Sequence, residues 1–104
     1  MVTAYITAPP EDAESIARTL VDERLAACVN RFACDSVYRW QGVIHEDEEV
    51  LLLAKTTEER YEQLRRRVVD LHPYDVPCIE RFDESDVFAP FEAWRDDVVG
   101  GAVD

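Results

Sequence analysis

Residues 36–55 read Ser36-Val37-Tyr38-Arg39-Trp40-Gln41-Gly42-Val43-Ile44-His45-Glu46-Asp47-Glu48-Glu49-Val50-Leu51-Leu52-Leu53-Ala54-Lys55, and they decide the fold. Successive side chains of a strand point to opposite faces. The extended stretch over 27–41 therefore sets Ser36, Tyr38 and Trp40 on one face and Val37, Arg39 and Gln41 on the other. Gln41-Gly42 is a turn signal. Beyond it, residues 43–55 form a second extended stretch, interrupted by acids at 46–49 and closing in the apolar run 50–54 that suits a central strand. The two stretches make one long hairpin.

Outward from the hairpin, residues 2–8 are short, β-branched and aromatic, and they stop at Pro9-Pro10, which predicts a first strand. Pro10 suits a first helical position, Glu11, Asp12 and Glu14 suit the positive end of a helix, and Ala13, Ile16, Ala17, Leu20 and Val21 recur at helical spacing. That helix is expected to run to about Leu25. After the hairpin, Thr57 reads as an N-cap, and Tyr61, Leu64, Val68 and Leu71 form an apolar stripe that Pro73 must end, giving a helix over 57–71. A last strand is expected over 77–82 and a final amphipathic helix over 88–99, stopped at Gly100-Gly101. The order βαββαβ plus a terminal helix is an α+β, ferredoxin-like sandwich with helices on one face of an antiparallel sheet.

The chain has 104 residues, 47% of them hydrophobic, and reads as a single domain, 1–104, able to bury one core. No stretch approaches the ~18 apolar residues that span a bilayer, and Met1 leads into Val2-Thr3-Ala4-Tyr5-Ile6 without a basic leader, so a soluble cytoplasmic protein is expected. Three cysteines, Cys28, Cys34 and Cys78, cannot all pair and form no Cys-x-x-Cys unit, which fits a reducing compartment. They read as small buried hydrophobes, with metal or redox chemistry as the other reading. The 23 acids against 11 bases give a net charge of -12, which repels phosphate backbones and anionic lipid, so neither nucleic acid nor membrane is an expected partner. The acid-rich, lysine-poor balance resembles that of salt-loving archaea, where concentrated salt screens self-repulsion.

Several motifs then fall in order: Thr7-Ala8-Pro9, Leu25-Ala26-Ala27-Cys28-Val29-Asn30, Ser36-x-Tyr38-x-Trp40-x-Gly42, Glu49 through Lys55-Thr56-Thr57, His72-Pro73-Tyr74-x-x-Pro77, and Trp94. Together they resemble the CutA family of divalent-cation tolerance proteins. The resemblance implies a ferredoxin-like protomer, a homotrimer built through sheet edges, and association with copper or another divalent cation, with no organic cofactor. Some members carry a Cys before Thr-Ala-Pro and a His-His pair before Pro-Tyr, both tied to copper. Here those positions hold Ile6 and Leu71-His72, so His72 alone matches as a metal ligand.

His72 has two readings, a metal-ligating imidazole or a helix-terminal histidine bonded to the last carbonyls. His45 beside the acids of 46–49 reads as a surface site or as a solvated charge run. Lys55 is the sole lysine beside ten arginines, which points to a place for a compact ammonium or to chance. Tyr38, Trp40 and Tyr74 read as packing or interface aromatics, with Trp40 and Trp94 assigned to the interface. With three glycines there is no phosphate-cradling loop, and no nucleophile motif appears, so a dedicated enzyme is not expected. The sequence reading is thus a homotrimeric, cytoplasmic copper-tolerance protein. Its alternative is a module resembling the PII signal proteins, with an effector cleft between subunits bounded by Tyr38, Lys55, His72 and Tyr74, to which a neighbour's hairpin would carry Tyr38.

Overall fold

A computed structural model describes residues 2–100. Strand β1 spans Val2–Ala8, helix α1 Pro10–Asp22, strands β2 and β3 Cys28–Trp40 and Val43–Thr56, helix α2 Glu58–Leu71, strand β4 Ile79–Asp83, and helix α3 Ala89–Gly100. The sheet order is β2-β3-β1-β4 with every neighbouring pair antiparallel, the arrangement expected of a split βαβ fold. Gly101, the second residue of the expected helix stop, lies outside the described residues. No described helix is long and apolar enough to cross a membrane.

Parity along the strands builds the core. Val2, Ala4, Ile6 and Ala8 are fully buried, as are Leu52 and Ala54 opposite them, and α1 and α2 cover this face with Ile16, Leu20, Leu64 and Val68. The other parity, with Tyr5, Leu51 and Leu53, forms a second sheet face on which Phe32 and Phe82 are about half exposed. Strand β1 pairs only with Val50–Thr56 of β3, whereas β2 follows β3 out to the Trp40–Val43 pair. The outer hairpin is therefore a bare two-stranded arm. At its tip Gln41 and Gly42 take φ of 51° and 80°, both in the left-handed region, which a two-residue hairpin turn requires to match strand twist.

Strand β4 spans Ile79–Asp83 rather than 77–82, and one helix end and one helix cap differ from expectation for local reasons. Helix α1 ends at Asp22 rather than near Leu25, because Arg24 adopts φ 58° and the Leu25 N–H turns back to the Leu20 carbonyl at 2.9 Å. The Arg24 guanidinium donates to the Val98 carbonyl at 3.2 Å, which ties this corner to α3. Thr57 does occupy the N-cap of α2, but its hydroxyl makes no capping bond. Its carbonyl instead accepts from the N–H groups of Arg60 and Tyr61. The cysteines also differ from the fully buried reading: Cys28, Cys34 and Cys78 are half-buried free thiols.

Candidate functional site

The site sits where β3 leaves β1. Ala8 pairs with Val50, so Glu49 lies one residue beyond the last β1 contact, at the root of the arm, and is 6% exposed. The Tyr74 hydroxyl donates to Glu49 Oε2 at 3.2 Å. His72 holds Tyr74 in place. Because Pro73 follows, His72 is pushed to φ -81° and ψ 137°, which ends α2 and turns the ring toward β1. His72 Nε2 lies 2.7 Å from the Thr7 carbonyl oxygen, an acceptor only, so Nε2 carries the proton and Nδ1 accepts the Tyr74 N–H at 3.2 Å. The two rings meet at 4.8 Å.

Farther along the arm, Asp47 and His45 share the face of Glu49, and their cross-strand partners are Ser36 and Tyr38. The Tyr38 hydroxyl donates to Asp47 Oδ2 at 2.5 Å, and its ring stacks on His45 at 5.4 Å. Burial, followed by the charge and hydrogen bond of Glu49, pushes the Tyr74 phenol up to about 12, with Tyr38 and Asp47 adding to the shift. Tyr38 is also raised, chiefly by its bond to Asp47. Burial raises the Cys78 thiol, opposed by a hydrogen bond with Thr7. Both phenols are thus held as protonated donors facing carboxylates.

The raised Tyr74 value fixes a pH dependence. Its neutral form is the one the fold favours, so this contribution to stability is complete below pH ~10 and disappears as pH rises through about 12. Phenolate absorbance in the native protein should show one tyrosine ionising near pH 12, absent in Tyr74→Phe. A Tyr74→Phe difference spectrum developing near pH 10 would refute the packing described.

Of the residues expected in one cleft, Tyr38, His72 and Tyr74 come together on a single chain, without a neighbour's hairpin. Lys55 does not join them. It stands six residues along β3 from Glu49, ~20 Å away, and donates to Asn30 Oδ1 at 2.7 Å. Trp40 lies near the arm tip and Trp94 on α3 beside Phe91, and both are nearly half exposed. Sequence reasoning missed Glu49 as a buried acid. The available signal was its place at the junction of the acid run and the apolar run. Among the described residues, no three His, Cys, Asp or Glu side chains converge on a point that would hold a metal ion.

Helices α1 and α2 on one face of a four-stranded antiparallel sheet, with a single overlong hairpin between β2 and β3, define a ferredoxin-like α+β protein. The chain belongs to the CutA1 divalent ion tolerance protein family, whose profile matches residues 2–98. It is 44% identical over 95 residues to the divalent-cation tolerance protein CutA of Pyrococcus horikoshii, covering 90% of this chain and 93% of that relative. The corresponding protein of Thermus thermophilus is 55% identical over 76 residues, covering 71% and 74%. The structure of the PII-like protein CutA from Nostoc superposes with a TM-score of 0.92 at 32% identity, covering 95% of this chain and 97% of that one.

Proposed function

We propose that three copies of this chain assemble through their open sheet faces and hairpin arms into a homotrimer that binds divalent cations, copper among them, in a reducing cytoplasmic compartment. The observation that carries this reading is the arm itself. Its outer half has no third strand, and Val37, Trp40, Val43 and Ile44 on it are 42–67% exposed. A two-stranded ribbon is marginal alone, and an apolar ribbon with open edges invites pairing. The names of the relatives as divalent-cation tolerance proteins support the cation, and three free thiols suit a reducing compartment. No step of catalysis is assigned to any residue.

His72 fits the role of a ligand in one respect. A metal-binding imidazole commonly donates its other N–H to a backbone carbonyl, which fixes the tautomer, and Nε2–H on the Thr7 carbonyl does this. Nδ1 would then serve the metal in place of its long contact from the Tyr74 N–H. Among the described residues no three ligating side chains converge within one chain, so this reading requires further ligands from a neighbouring copy. In calorimetric titration with copper(II), His72→Ala should lower the affinity by about tenfold or more. Cys28→Ala should leave it unchanged. Equal affinity in wild type and His72→Ala would remove this site. A PII-like effector cleft is the second reading, and the Tyr38–Asp47–Glu49–Tyr74 cluster favours it.

A further inference from the structure

The tip of the arm is apolar on both of its faces. Strand parity puts Trp40 and Val43 on one face and Val37 and Ile44 on the other, and all four are exposed. A ribbon laid flat on a surface buries one face only, so a tip with two apolar faces is shaped to enter a groove. The Val37 and Ile44 face also carries Glu46 and Arg39, their respective cross-strand partners, and so sets one acid and one base beside its apolar side chains.

A groove of complementary composition lies between α2 and the chain entering β4. It encloses about 460 Å³ and is lined by Val69, Pro77 and Ile79 together with Arg65, Arg66 and Asp70. Val69 is more than half exposed, and Arg66 has no carboxylate partner among the described residues. Another groove, of about 580 Å³, lies between α1 and β2, where Val21, Val29 and Arg31 line it. Ring geometry chooses between them. In the order β2-β3-β1-β4, the strands β2 and β4 are opposite edges of the sheet, and the arm leaves from the β2 side. A tip seated on the β2 side of a second copy joins like sides, the reciprocal contact that closes a pair, whereas a tip seated on the β4 side joins unlike sides, the head-to-tail contact that closes a ring of three. We propose that the arm tip of each chain seats in the α2–β4 groove of the next copy, with Val37 and Ile44 against Val69, Pro77 and Ile79, Glu46 toward Arg66, and Arg39 toward Asp70. The inference rests on the trimer reading and deepens it by naming the receiving surface.

Disulfide trapping in the full chain tests it, in a background of Cys28→Ser, Cys34→Ser and Cys78→Ser. Under mild oxidation, Ile44→Cys combined with Val69→Cys should give covalently linked chains on a non-reducing gel, because a disulfide forms only where the two Cα atoms come within ~7 Å. Ile44→Cys combined with Val21→Cys, which probes the groove beside β2, should stay unlinked. Sedimentation before oxidation separates the two readings. A three-chain mass with no linkage to position 69, or with linkage to position 21 in its place, overturns the docking alone; a one-chain mass overturns the trimer and the docking with it. A charge exchange decides the matter with the native cysteines in place, should the serine background fail to fold. Glu46→Arg and Arg66→Glu should each weaken assembly about fivefold, and the two together should recover most of that loss. Losses that simply add in the double variant would overturn the docking.

Discussion

Glu84→Ala is expected to destabilise the protein by about 3–5 kcal/mol, the cost of stranding a buried charge. The Arg95 side chain is 1% exposed, and its Nη1 donates to Glu84 Oε1 at 2.9 Å while Nε and Nη2 have no partner. The other Glu84 oxygen accepts from the Thr3 hydroxyl at 2.5 Å, so a single carboxylate clamps α3 to β1 and neutralises the guanidinium. Arg95→Met should cost far less, because it removes the buried charge and keeps an aliphatic side chain beside Phe91. Urea midpoints at one fixed protomer concentration would rank the two variants. A Glu84→Ala variant within about 1 kcal/mol of wild type would show that the guanidinium is neutralised in another way.

Leu53→Asp should leave the subunit folded and remove its assembly. Leu53 pairs with Tyr5 and Asn30 on the open sheet face, where Phe82 packs at 5.5 Å from Tyr5. A carboxylate there remains solvated in a lone subunit but would be buried without a partner between copies. Its neighbour Leu52 has the opposite parity and is fully buried beneath the helices, so Leu52→Asp should abolish folding itself. Circular dichroism and mass measured together separate the two outcomes. Retention of the assembled mass by Leu53→Asp would place the interface elsewhere.

The contrast between Leu52 and Leu53 also shows what could be read from sequence. Period-two alternation and the apolar run 50–54 located the strands, and Gln41-Gly42 located the turn, because these features are local. Arg24 was not legible, since a left-handed residue after a helix is usually glycine and its side-chain anchor, the Val98 carbonyl, is 74 residues away in sequence. The Thr3–Glu84–Arg95 network was hidden for the same reason: each member alone looks like a surface polar residue. At the candidate site, the motif residues His72 and Tyr74 stood out. Glu49 was hidden by the acids around it, and only the register with β1 reveals that it alone of the 46–49 run is buried.

The central claim is that the open face and the bare arm are completed by two further copies of the chain. Sedimentation equilibrium over a wide concentration range, in high and low salt, tests it most directly. The account predicts about three times the 12.0 kDa of one chain throughout. A concentration-independent mass of one chain would contradict it.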